Sequence, residues 1–209
     1  MKNLFTLLAI IIFCFSMQAQ RNLFRMKYKS LATDFNLNET ELEAYRNEGK
    51  LVIFNTEKHK TNLAKKLIES KIGKTKKIDN GYYKTSYKVL SKVQIPHYRV
   101  RYIFIDKNKF KDNLTLENYK ENIRNLLEDK AFKSVAMQYS MDYKKHVGGD
   151  SGWFKEGKTQ PDFFNNATQN NRLAEEIFEF ENDKAYYIVQ NTHAPMDIEE
   201  VLVLEIKED

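Results

Sequence analysis

The sequence predicts an α+β protein: an antiparallel four-stranded sheet flanked by helices, preceded by a small α+β N-terminal region. Three observations predict it. Residues 96–209 carry short apolar runs in the order strand, helices, strand, helix, strand, strand, which suits helices packed on an antiparallel sheet. Between those strands, apolar side chains recur at helical spacing. A glycine-rich segment, Gly148-Gly149-Asp150-Ser151-Gly152, joins the end of a helix to the aromatic pair Trp153-Phe154.

The chain has 209 residues. Lys2, the apolar run Leu4–Phe15 and Ser16-Met17-Gln18-Ala19 read as a secretory signal peptide over residues 1–19, with Ala19 at the cleavage position. A membrane anchor is the competing reading, but the run is about 12 residues long against the ~20 a spanning helix needs. Cys14 is the single cysteine and lies within this run, so the expected mature chain contains none. Its stability then rests on a hydrophobic core and not on disulfides. The expected mature protein is exported to the periplasm or outer envelope of a bacterium and has no integral membrane segment. The formal charge of +5 falls to +4 without Lys2, and Lys and Glu are interspersed over most of the chain. Such a pattern reads as a solvated surface and not as a nucleic-acid stripe. Lys74-Thr75-Lys76-Lys77 beside Tyr82, Tyr83 and Tyr87 is the local exception.

Residues 20–95 form the N-terminal accessory region. Asn38 and Glu41 make a capping-box pattern, and Gly49 closes the helix that follows. Leu51–Phe54 reads as a buried strand. Thr56 is placed as the cap of a second helix reaching Ile72, with Gly73 as its stop. Asp79-Asn80-Gly81 is a turn signal, followed by a strand over Tyr83–Val93. The region is either an accessory extension or a peptide-holding surface.

Residues 96–209 form the second region, opened by Pro96. Tyr98–Ile105 alternates as a strand. Thr115 is placed as the cap of a helix carrying Leu116, Tyr119, Ile123, Leu126 and Leu127, and Ala131–Tyr139 is a second helix. Pro161 opens a short helix over Phe163, Phe164 and Ala167. Tyr186–Val189 and Val201–Ile206 are the last two strands.

No Gly-x-Ser-x-Gly, P-loop, dinucleotide fingerprint or His-Glu-x-x-His occurs, and the four histidines have no metal-ligand spacing. Neither cofactor nor metal is therefore expected. The informative stretch runs from Ser140 through Asp142 to Gly148-Gly149-Asp150-Ser151-Gly152-Trp153-Phe154. With Phe132–Ser140 before it and Phe164–Ala167 and Tyr186–Val189 after it, it resembles the parvulin family of peptidyl-prolyl isomerases. The likeness covers roughly Tyr98 to Gln190.

The resemblance implies a rotamase that works without covalent chemistry on X-Pro bonds of unfolded or extended polypeptides. It places Asp142, Tyr102, Tyr187 and Asn182 at the catalytic positions. Tyr102 and Tyr187 stand where the family carries histidines, and Asn182 where it carries a threonine. It places Phe164, Gln160 and Ser151 at the proline pocket, with Trp153 adding apolar contact. The two phenols either keep a hydrogen-bonded floor or are half-buried strand aromatics without a role. Two functions follow from the resemblance: an exported isomerase and foldase for envelope proteins, or a catalytically degenerate chaperone or assembly factor that binds extended peptide.

Overall fold

The computed structural model describes residues 31–79, 81–169 and 173–208. The expected signal peptide lies outside them. Two compact units are present: the described residues up to Ile95 with those from Ile198 onward, and Pro96–Asp197.

The first unit holds a sheet of four strands in the order β1 (Lys50–Asn55), β7 (Met196–Glu208), β3 (Lys84–His97), β2 (Thr75–Asp79). Helices α1 (Glu39–Glu48) and α2 (Asn62–Glu69) belong to the same unit. The Asn38 side chain accepts from the Glu41 amide and Glu41 reaches back to Asn38, which completes the capping box. In β7, Leu202 and Leu204 pack with Phe35, Leu42 and Leu90, while Val201 and Val203 pack with Leu67, Ile68 and Val89. Successive side chains thus enter opposite layers. A strand buried on both faces reads as a continuous apolar run, as Val201-Leu202-Val203-Leu204 does.

Several expectations change here. The strand expected at Val201–Ile206 does not extend the downstream sheet: β7 pairs antiparallel with β1, Leu51 opposite Leu204 and Ile53 opposite Leu202. The second helix starts at Asn62, capped by Thr61 and not by Thr56. The residues after β1 instead form a turn in which the Asn55 side chain accepts from the Lys58 amide. β3 also continues through Pro96 to His97.

The second unit contains β4 (Val100–Asp106), α3 (Asn113–Asp129), α4 (Phe132–Tyr139), α5 (Pro161–Ala167), β5 (Ile177–Glu181) and β6 (Ala185–Asn191). Its antiparallel sheet runs β4-β6-β5. Backbone bridges Tyr98–Phe154 and Arg101–Asp150 lay the glycine segment along the free side of β4 as a rudimentary fourth strand. Strand β5 was not anticipated, because Glu179 and Glu181 interrupt its apolar residues. Asp112, not Thr115, caps α3, its carboxylate accepting the Thr115 amide.

The two faces of this sheet differ. Ile103, Ile105, Tyr186 and Ile188 pack on Leu116 and Ile123 of α3 and on Phe132, Val135 and Ala136 of α4. The opposite face presents Val100, Tyr102, Phe104, Phe178, Phe180, Tyr187 and Val189, against which lie Phe154 and Phe163, Phe164 and Ala167 of α5. This second face is dominated by aromatic rings, and it carries the candidate site.

Candidate active site

Four hydrogen bonds build the polar edge of the aromatic face. The chain leaves α4 at Ser140 and is fastened to β4. The Phe104 amide donates to Ser140 Oγ at 3.0 Å, and the Met141 amide donates to the Phe104 carbonyl at 2.8 Å. Ser140 Oγ in turn donates to Asp142 Oδ1 at 2.9 Å, and the Tyr102 hydroxyl donates to Asp142 Oδ2 at 2.7 Å. One carboxylate therefore accepts two hydroxyls, each held by a different element of the fold.

The rings behind this edge interlock. Tyr102 and Tyr187 meet edge to face at 6.2 Å between centroids. Phe163 lies 5.2 Å from Tyr102 and 5.4 Å from Tyr187, filling the corner between them. Phe180 stacks on Tyr187 at 4.9 Å. Edge-to-face and offset arrangements of this kind match ring quadrupoles and fix orientation. Among the described residues the Tyr187 hydroxyl makes no hydrogen bond, which leaves it as a donor at the floor of the face.

Both phenols stay protonated. Burial raises Tyr102 well above its ordinary value of 10.0, and its hydrogen bond to Asp142 adds to this. Burial raises Tyr187 in the same direction, helped by the Asp142 and Asp162 carboxylates. Any activity of this site is expected to be level between about pH 7 and 9, below the range where even an unperturbed phenol ionises. A rate profile with an inflection there would remove the phenols from the mechanism.

Gly149 sets the position of Tyr102. The Tyr102 amide donates to the Gly149 carbonyl at 3.0 Å, and a Cβ on Gly149 would sit 2.3 Å from the Tyr102 carbonyl oxygen. With φ at +76°, this residue also occupies backbone space that favours glycine. The glycine segment is anchored next to it: Arg99 makes a two-pronged contact with Asp150 at 3.0 and 2.5 Å, and the Gly152 amide donates to Asp150 Oδ1 at 2.8 Å. The Arg99 bonds lower the Asp150 carboxyl to about 2, against 3.8 ordinarily. A depressed carboxyl stabilises the fold above the ordinary value and loses that contribution as pH falls toward 2. Replacing Arg99 by Met is expected to return the Asp150 titration most of the way to its ordinary range, as read by carboxyl-carbon NMR.

The structure brings Asp142, Tyr102 and Tyr187 together, and it distributes the other expected residues. Phe164 lies on the aromatic face but contacts Tyr98 and Phe154, at 5.5 and 6.3 Å, and not the tyrosine pair. Asn182 stands in the β5–β6 hairpin, where its side-chain oxygen accepts the Lys184 and Ala185 amides. Ser151 accepts the Val100 amide and donates to the Gly152 carbonyl, so its hydroxyl ties the glycine segment to β4. Gln160 is exposed at the start of α5. Trp153 stands edge-on to His193 at 5.4 Å. Sequence reasoning missed Phe163, Ser140 and Arg99. The Phe163-Phe164 pair gave no way to tell which ring turns inward, since a seven-residue helix has too few turns to define a face.

The PPIC-type PPIASE domain family matches residues 83–194, more than half of the chain. No curated protein matches. Among solved structures, PrsA from Bacillus subtilis aligns at 22% identity and TM-score 0.37, over 47% of this chain and 35% of that one. The parvulin domain of PpiD from E. coli aligns at 19% identity and TM-score 0.37, over 50% of this chain and 93% of that one. The peptidyl-prolyl isomerase ESS1 from Candida albicans aligns at 21% identity and TM-score 0.39, over 46% and 63% respectively. By the match across residues 83–194, this chain belongs to the PPIC-type PPIase domain family, the parvulin-type peptidyl-prolyl cis-trans isomerases.

Proposed function

We propose that this chain is an exported isomerase and foldase that accelerates cis-trans exchange at X-Pro bonds in unfolded envelope proteins. The observation that carries the reading is the hydrogen bond from Tyr102 to Asp142 at the edge of the aromatic face. Rotation about an X-Pro bond takes tens to hundreds of seconds unaided. It makes and breaks no covalent bond and needs no proton transfer, so protonated phenols suit it. The site has to favour the twisted imide over the planar one. In the proposed pose the proline ring rests on the edges of Phe163, Phe164 and Tyr187. The Tyr187 hydroxyl donates to the imide as resonance is lost, and Asp142 holds Tyr102 in place beside it. A thousandfold acceleration asks for only about 4 kcal/mol, which a few preorganised groups supply. Export is supported by the Lys2, Leu4–Phe15 and Ala19 pattern.

A second reading, a peptide-binding chaperone or assembly factor without useful catalysis, is favoured by one observation. Ser151 is engaged with backbone and Gln160 is exposed, so the grip on proline falls to aromatic edges alone. Exchange NMR on a short X-Pro peptide separates the two. Cross-peaks between cis and trans forms that build up faster with protein present are expected. Peptide line broadening with unchanged exchange would instead support the chaperone.

A further inference from the structure

Residues 71–88 are one of two strongly basic stretches of this protein. They contain six lysines (Lys71, Lys74, Lys76, Lys77, Lys84 and Lys88) and one acid, Asp79, a net of +5 that equals the formal charge of the whole chain. The other is residues 1–30, where Lys2, Arg21, Arg25, Lys27 and Lys29 meet no acid, and the remainder of the chain carries a compensating net negative charge. Residues 71–88 form the β2–β3 ribbon, in which Lys76 stands opposite Tyr87 and Asp79 opposite Lys84. β2 is the edge strand of its sheet, and all five of its residues are exposed. It therefore adds nothing to the core on either face.

The ribbon's apolar side chains are exposed too. Tyr82 is 95% exposed and Tyr83 52%, with Ile72 at 60% and Ile78 at 43%. The tip that carries the two tyrosines is shaped, since the Gly81 amide donates to Asp79 Oδ1 at 2.9 Å. Lys207 Nζ sits 5.6 Å from the Tyr83 ring and extends the basic surface. Opposing charge is sparse: Lys77 pairs with Glu208 at 2.9 Å and Lys84 with Asp79 at 4.0 Å. Lys71, Lys74 and Lys76 make no ion pair among the described residues.

Lysines on an edge strand ordinarily serve to discourage pairing with another chain. That accounts for Lys76 and Lys77. It does not account for Lys71, Lys74, Lys84 and Lys88, which lie off β2, nor for a fully exposed tyrosine at the tip. Tyrosine prefers the boundary between water and hydrocarbon, where its ring and hydroxyl are both satisfied. Clustered lysines next to such rings match a sheet of anionic headgroups. None of the charged residues in the ribbon is arginine, the side chain that reads phosphates and bases by two-pronged contact, which disfavours nucleic acid. We propose that the β2–β3 ribbon is a peripheral docking element for anionic lipid bilayers, with Tyr82 and Tyr83 at the headgroup level and the lysines above the phosphates.

Vesicle sedimentation with the full chain tests this. Vesicles of phosphatidylcholine alone are compared with vesicles holding about one-third phosphatidylglycerol, at low and high salt. Binding carried by the apolar Leu4–Phe15 run and the basic residues beside it would also favour the anionic vesicles, so it is the lysine and tyrosine changes in the ribbon that tell the two apart. Binding by the ribbon is expected only with the anionic lipid and is expected to fall with salt. Near such a surface each lysine contributes roughly fivefold in partitioning. The combined change Lys71→Gln, Lys74→Gln and Lys76→Gln is therefore expected to lower partitioning by roughly a hundredfold. Tyr82→Ser with Tyr83→Ser is expected to remove the part that resists salt. All five positions are exposed, so circular dichroism is expected to be unchanged. Equal binding to both vesicle types, no binding, or binding that survives the triple change would overturn the proposal. So would a short DNA duplex that binds more tightly than the anionic vesicles and depends on the same lysines.

Discussion

Replacing Gly149 by alanine is expected to destabilise the second unit by about 2–5 kcal/mol. Two costs combine. A left-handed backbone costs a residue with a Cβ roughly 1–2 kcal/mol, and Gly149 has φ at +76°. The added methyl would also lie 2.3 Å from the Tyr102 carbonyl oxygen and 3.1 Å from its amide nitrogen. Both are backbone atoms of a paired strand and cannot swing aside, so the strand or the turn must move, at a further cost of about 1–3 kcal/mol. Set against a typical total of 5–15 kcal/mol, this is a large loss. Gly152 provides the control. It has φ at +68° but open space around its Cβ position, so Gly152→Ala carries only the backbone cost. Urea unfolding followed by Trp153, the single tryptophan of the chain, reads this unit directly. Equal midpoints for the two variants would mean that Gly149 does not clamp Tyr102.

Replacing Asp142 by alanine is expected to slow prolyl exchange by about 10- to 100-fold, a loss of roughly 1.5–3 kcal/mol for a hydrogen bond to a charged group. The carboxylate is the common acceptor of Tyr102 and Ser140, so its removal frees both hydroxyls at once. Ser140 remains tied to the Phe104 amide, and the Met141 amide remains on the Phe104 carbonyl. The path of the chain should therefore survive, and stability should fall much less than activity. Tyr102→Phe keeps the ring contacts with Phe163 and Tyr187 but deletes the donor; a roughly tenfold loss is expected. Because both changes break one bond, the double variant is expected to be little worse than Asp142→Ala alone. Fully additive losses would show that the two side chains act separately.

How much of this was legible in the sequence follows from the range of each signal. The capping box at Asn38 and Glu41, the Pro161 helix start and the glycine turn are local, and local chemistry is sufficient to read them. Tyr102, Asp142 and Tyr187 come from three distant segments, and it was the family pattern around the glycine turn that placed them on one surface. Phe163 was passed over for Phe164 because a single-turn choice depends on how α5 docks on the sheet. Ser151 was expected in the proline pocket, but a hydroxyl next to a strand amide bonds the backbone first. Asn182 was likewise taken up by its own hairpin, in keeping with the strong preference of Asn for turn amides. The sheet membership of Val201–Ile206 could not be read from its apolar run. Such a run demands burial on both faces and does not say between which strands, and the answer, β1 and β3, lies more than a hundred residues upstream. At the starts of α2 and α3 several capping residues compete within a few positions, and it is Thr61 and Asp112, not Thr56 and Thr115, whose side chains accept the amide three residues on.

The central claim is that a proline-containing peptide is held on the aromatic face beside Asp142. Intermolecular NOEs test it most directly, with an X-Pro peptide bound to protein selectively labelled at its aromatic rings. Contacts from the proline ring protons to Phe163, Phe164 and Tyr187 are predicted, weakening in Asp142→Ala in step with the exchange rate. Accelerated exchange accompanied by proline contacts only to residues outside this face would contradict the account.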